Sequence, residues 1–212
     1  MEVTFNLCHL AHMPYSAPSQ TRSRNTERKF LAALDEMLRV NGYTETTIDQ
    51  VAERAGLTRA SFLKRFGSKE QAVIVLFSKY CDQIAGLMHS LQDQLSDYPS
   101  LHFTLRELSQ QFEAVLQMHL SSNRAMHEHF QKRLEVHDLT KQIFKQCVGL
   151  MKTVQAQFLD EESYTDAGAW YATQLLVTID YNYLLRAMPA LPEDHTTRHN
   201  LVADLLEVAI KK

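Results

Sequence analysis

Scarcity narrows the field first. The 212-residue chain has three cysteines, Cys8, Cys81 and Cys147, and no two of them stand at CxxC spacing. That excludes a disulfide framework and a zinc ribbon, and it fits a reducing cytoplasm. Six glycines and five prolines are few for this length, which suits long helices more than a turn-rich β architecture. No run of about 18 apolar residues occurs, so no membrane span is expected. Glu2 is the only Asp, Glu, Lys or Arg before Arg22, so the basic start of a secretory signal is missing and a cytoplasmic location is expected. There is no P-loop, no GxGxxG, no GxSxG and no HExxH, so nothing points to an enzyme. Glu161-Glu162 stands at an expected helix end, where paired carboxylates are normally solvated.

What is present is ordinary in bulk and uneven in charge. An apolar fraction of 45% and a charged fraction of 22% belong to a soluble globular protein long enough for a real core. Residues 22–80 hold 11 Lys+Arg against 7 Asp+Glu, whereas residues 81–212 hold 11 against 17. A basic head on an acidic body suits a chain that places one end on phosphate.

The stretch Thr46–Gln71, TTIDQVAERAGLTRASFLKRFGSKEQ, carries the most information. Thr47 with Gln50 three residues on forms a capping-box pattern, and Val51, Ala52 and Ala55 give the helix that follows a small apolar face. Gly56 ends it. Thr58 caps a second helix over Arg59–Phe66, Gly67 stops that one, and Ser68 with Gln71 opens a third. Two compact helices at this spacing make a helix-turn-helix, whose second helix fits the DNA major groove.

Thr46-Thr47-Ile48, Val51-Ala52, Ala55-Gly56-Leu57-Thr58, Phe62 and Phe66-x-Ser68-Lys69-Glu70 resemble the N-terminal domain of TetR-family (TetR/AcrR) transcriptional regulators. The likeness in sequence covers about Thr26 to Tyr80; beyond that, only helix lengths and order are similar. It implies an all-α fold, with an N-terminal three-helix DNA-binding domain and a larger C-terminal helical ligand-binding and dimerisation domain. It also implies a homodimeric repressor released from a palindromic double-stranded operator by a small-molecule effector, with no cofactor. Two alternatives stand beside this reading: a DNA-binding regulator controlled by a protein partner, and an all-helical enzyme with an incidental helix-turn-helix.

Each expected DNA contact has a chemical reason. Thr46 and Thr47 lie at a helix start, where backbone N–H groups favour phosphate. Thr58, Arg59, Ala60, Ser61 and Lys64 lie on or near the outer side of the second helix, and Arg59 can fork onto guanine O6 and N7. Lys69 is the expected phosphate anchor. The family commonly has Tyr where Leu63 stands and His where Arg65 stands. Leu63 has no hydroxyl for phosphate, and Lys64 and Arg65 are the replacement charges.

The expected organisation is an N-terminal arm over residues 1–21, a DNA-binding domain over 22–68 and a regulatory domain over 69–212. Phe30, Leu31, Leu34, Met37 and Leu38 mark the first helix, near Thr26 to Val40, closed by Asn41-Gly42. A long helix follows from Lys69 to about Leu95, broken at Asp97-Tyr98-Pro99-Ser100. Four or five more helices complete the body, among them a short one over Arg124–Leu134, an apolar one over Tyr164–Met188 and a last one opened by Asp194 or Thr196. The last two are the dimer candidates, since Trp170, Tyr171, Leu175, Leu176, Ile179, Tyr183 and Leu184 exceed what one buried face needs.

Phe112, Met118, Phe130, Phe144, Met151, Trp170 and Gln174 are the candidate effector lining. They are poor in clustered charge, so an apolar or aromatic ligand is expected. His119, His127, His129 and His137 crowd one stretch, but His127 and His129 stand two apart and diverge on a helix, so no metal site is expected there.

Overall fold

The computed structural model describes residues 21–163, 165–186 and 191–212, and every regular element among them is helical. The expected arm, with Cys8, lies outside the described residues except for Thr21, as do Tyr164, Met188 and Pro189. The described chain divides into two compact units. One contains the residues up to Asp82 and His119–His137, and the other contains Gln83–Met118 and Asp138–Lys212.

In the first unit, α1 spans Thr21–Glu45. Its geometry breaks at Gly42 (φ 73°, ψ 175°), where the Asn41-Gly42 pair is expected to close it. Glycine takes this left-handed φ without a Cβ clash, and a further short turn carries the chain to Glu45. Phe30, Leu31, Leu34 and Leu38 are buried, as their helical spacing requires. Then come α2 (Ile48–Arg54), α3 (Arg59–Phe66) and α4 (Lys69–Gln94).

Phe62 and Phe66 point inward from α3 onto Phe30. The Phe30–Phe62, Phe30–Phe66 and Phe62–Phe66 ring centroids lie 5.3, 6.1 and 5.0 Å apart. This aromatic knot fixes which side of α3 is left outside.

The first unit also takes in a segment that lies within the expected regulatory domain. In place of one short helix over Arg124–Leu134 stand α6 (Leu120–Ala125) and a π-turn over Met126–Phe130. α6 packs on α1, with Ser121 bonded to Asp35. The Phe130 ring meets Tyr43 edge-on at 4.8 Å.

In the second unit, the end of α4 passes through a 3-10 turn (Leu95–Asp97) to α5 (Leu101–Met118). The Ser100 hydroxyl accepts the Phe103 N–H at 3.2 Å and so caps α5. α7 (Leu134–Phe158), most of which lies in this unit, α8 (Asp166–Arg186) and α9 (His195–Ile210) follow. Asp194 caps α9, its carboxylate accepting the Thr197 N–H at 2.7 Å. α9 packs on both α5 and α8. No helix among the described residues is long and apolar enough to cross a membrane.

The start of α8 and the end of α9 meet at Gly168. A Cβ there would stand 2.4 Å from the Ile210 carbonyl oxygen and 2.8 Å from Gln155 Nε2. Buried Gln155 donates to that same carbonyl at 2.7 Å. Gly168→Val should therefore force α8 off α9 and cost about 1–3 kcal/mol, seen as a lower thermal midpoint. An unchanged midpoint would mean that the two helices yield freely.

Candidate nucleic-acid interface

The structure holds α2 and α3 as their caps dictate. The Thr47 hydroxyl accepts the Gln50 N–H at 3.3 Å, and Gln50 Oε1 accepts the Thr47 N–H at 2.8 Å, completing the capping box. Gly56 (φ 65°) makes the turn. The Thr58 hydroxyl accepts the Ser61 N–H at 3.2 Å and shares a hydrogen bond with the Ser61 hydroxyl at 2.9 Å. With Phe62 and Phe66 inside, α3 leaves Arg59, Ala60, Leu63 and Lys64 exposed, flanked by exposed Thr47 and Thr58. Ser61 is half-buried among them.

Arg59 pairs with Asp49 across the turn at 2.6 Å, with side chains 54% and 67% exposed. An ion pair this open contributes only about 0–1 kcal/mol, so the guanidinium can leave Asp49 for a nucleobase at small cost.

Three expected contacts sit differently. Thr46 is fully buried, and its hydroxyl donates to the Gly42 carbonyl at 2.7 Å, so its side chain has no outward surface. Arg65 turns back to α1, where it bonds Ser23 and lies 3.8 Å from the buried carboxylate of Glu27. It braces α3 against α1 and does not stand in the row of exposed side chains. Lys69 donates to the Tyr43 and Thr46 carbonyls at 2.7 and 2.6 Å and lies 4.1 Å from the Tyr43 ring centroid.

Partial burial lowers the Lys69 pKa, and Glu45 opposes that shift. Lys69 thus ties α4 to the end of α1, leaving one ammonium N–H for phosphate. Lys69→Ala should cost about 2 kcal/mol in stability, since charge-assisted bonds to two carbonyls are lost. A denaturant midpoint equal to that of the parent would rule out this strut.

The candidate effector residues fall in both units. Phe112 and Met151 are buried in the second unit, while Phe130 packs on Tyr43 in the first. Met118 is 61% exposed, Trp170 is 47% exposed and Gln174 faces solvent. Half-buried Phe144 touches the Trp170 ring at 5.9 Å.

The second unit also holds buried charge. Glu113, Asp180, Arg198 and His199 are all buried in the second unit. The Arg198 guanidinium donates from Nη2 to Glu113 Oε1 at 2.8 Å and to Oε2 at 3.1 Å. Burial pushes the Asp180 carboxyl well above the carboxylate range; Glu113 adds to the shift and Arg198 opposes it.

Other reactive groups are quiet. Cys81 and Cys147 are buried reduced thiols, and burial pushes both up, Cys147 to about 12. Among the described residues His119, His127, His129 and His137 form no ligand cluster; the His119 ring lies tilted against Tyr80 and the His129 ring tilted against Tyr43. The group that does form is Glu113 with His195 and His199. The expectation that the chain has no His-x3-His pair is thereby corrected, since His195 and His199 stand at that spacing.

Residues 30–74 match the family model described as bacterial regulatory proteins, tetR family. No curated protein matches the chain by sequence. Among solved structures, a protein of Mesorhizobium loti described as a TetR-family transcriptional regulator aligns with TM-score 0.70 and 17% identity, over 90% of this chain and 97% of that one. A TetR transcription regulator from Haloarcula marismortui aligns with TM-score 0.65 and 14% identity, over 88% and 97%. The fatty acid degradation regulator FadR from Bacillus halodurans aligns with TM-score 0.63 and 15% identity, over 85% and 94%. At these identities the likeness establishes a shared all-helical fold.

Proposed function

Since the chain belongs to the tetR family of bacterial regulatory proteins through residues 30–74, we propose that it is a homodimeric repressor released from a palindromic operator by a small molecule. The observation that carries the DNA part is the outer face of α3. Arg59, Ala60 and Lys64 are exposed there because Phe62 and Phe66 anchor the opposite face. Arg59 reads a guanine edge, Ala60 and Ser61 allow close approach, and Thr47, Thr58, Lys64 and the remaining N–H of Lys69 hold phosphate.

The dimer part is supported by apolar surface on the last two helices. Trp170, Tyr171, Leu205 and Val208 are 47%, 51%, 40% and 64% exposed, and side chains of this size seek cover. A two-fold protein then matches a two-fold operator, with half-sites a whole number of turns apart. The effector is a small, largely apolar molecule taken up by the second unit, where Phe112 and Met151 supply apolar surface. It releases DNA to the extent that it prefers the non-binding conformation.

Sedimentation with a fluorescent duplex tests this reading. Two chains per duplex are expected, with an affinity that falls steeply as salt rises. A single chain in solution, or no binding even at low salt, would overturn it. In a specific complex, Arg59→Ala should relax preference at one base position by about 1–3 kcal/mol. Binding competition against duplexes varied at each position measures this, and an unaltered preference would remove Arg59 as reader.

A further inference from the structure

We infer that Glu113, His195 and His199 form a binding site for a divalent transition-metal ion of the zinc class, in the core of the second unit. His195 and His199 stand four residues apart on α9, so their rings share one face and stack with centroids 6.1 Å apart. Glu113 comes from the middle of α5 and brings a buried carboxylate against them; His199 Nε2 lies 3.3 Å from Glu113 Oε2. One donor atom from each of the three residues falls within 4.8 Å of the others. Ligands about 2.1 Å from a tetrahedral ion stand roughly 3.4 Å apart, so contraction by about an ångström closes the set. Two imidazoles and a carboxylate are a donor set that zinc accepts, with a fourth position left open.

Two neighbours fit this assignment. His199 Nδ1 lies 2.8 Å from the hydroxyl of buried Ser109. With Nδ1–H donating to Ser109, Nε2 carries the lone pair and faces Glu113, which is how outer hydrogen bonds orient a ligating histidine. His195 is exposed and gives the ion a way in from solvent, while Glu113 and His199 are buried.

Arg198 is the rival cation. Its Nη2 contacts Glu113 and also lies 2.8 Å from His195 Nδ1, so its guanidinium now occupies the charge that the ion would take. Nη1 keeps separate contacts at 3.2 Å to the Tyr183 hydroxyl and to the Pro192 and Glu193 carbonyls. A second buried carboxylate lies in the same region: Asp180 feels the charges of both Glu113 and Arg198, and its Oδ2 has no hydrogen-bond partner among the described residues. When the ion takes Glu113 and His195, Arg198 keeps its Nη1 contacts.

The test is titration of the chelator-stripped full chain with zinc chloride alone, read by calorimetry, and with cobalt(II), read by visible absorption. One ion per chain is expected, with cobalt bands of a low-symmetry nitrogen and oxygen site. His195→Ala, at an exposed position, should weaken zinc at least tenfold and abolish the bands. His127→Ala with His129→Ala should leave both unchanged. No zinc uptake by the parent chain, or equal uptake by His195→Ala, would overturn the assignment. The titration contains no DNA, so its outcome is independent of the operator reading.

Discussion

Glu113→Leu should lower the stability of the second unit by about 3–5 kcal/mol. The Glu113 and Arg198 side chains are 3% and 2% exposed, so the guanidinium left behind would be a buried charge without its carboxylate. The Tyr183, Pro192 and Glu193 oxygens still accept from Arg198, but none carries the compensating charge. The partner variant separates this cause from simple misfit. Adding Arg198→Met to Glu113→Leu should recover most of the loss, because replacing both members of a buried pair with apolar groups is often close to neutral. Denaturant melts of the two single variants, the double variant and the parent give the coupling directly. A Glu113→Leu loss under about 1 kcal/mol, or a double variant no better than the single, would show that the pair is not what holds α9 on α5.

Phe62→Ala should cost a similar amount, about 3–5 kcal/mol, with a different consequence. Phe62 is fully buried and meets both Phe30 and Phe66. It touches no DNA in the proposed arrangement, yet its loss removes the knot that aims α3. Operator affinity should therefore collapse even though Arg59 and Lys64 are intact. The melt of the first unit should shift, and the residual binding should be weak and insensitive to sequence. Operator affinity within a factor of about three of the parent would mean that the outer face is held by something other than the Phe30–Phe62–Phe66 contacts.

The helix-turn-helix was legible because its signals are local. Thr47 with Gln50, Thr58, Gly56 and Gly67 each act within one turn of themselves, and the caps and positive-φ glycines stand where those residues require. The inward phenylalanines follow from a period of 3.6, which survives any arrangement of the rest. Gly42 was read correctly as a break, but α1 runs on past it to Glu45 because one more turn can follow a single left-handed residue.

What escaped were pairings distant in sequence. Nothing near Arg65 says that it will turn to Glu27, 38 positions earlier, nor anything near Lys69 that its ammonium will be held by the carbonyls of Tyr43 and Thr46. The family pattern presents Lys69 as a phosphate anchor, and Arg65 was the replacement charge for the hydroxyl that Leu63 lacks; only the folded chain shows Arg65 turned to α1 and Lys69 bonded to two carbonyls. The second unit was harder again. Its apolar stripes predicted helices, but α8 carries apolar residues around most of its circumference, so periodicity alone does not say which residues line an interior. Trp170 and Met118, chosen for their type, lie largely outside. The buried Glu113–Arg198 pair joins residues 85 apart and leaves no trace in local composition. His195 and His199 are the exception, because four-residue spacing on one helix is a local signal.

Selection of bound duplex from a random pool at near-physiological salt is the most direct measurement. Recovery of one palindrome, with half-sites a whole number of helical turns apart, is expected from two chains presenting α3 as a pair. Recovery of no common sequence, with binding that disappears as salt rises, would show only phosphate attraction and would contradict a sequence-specific regulator.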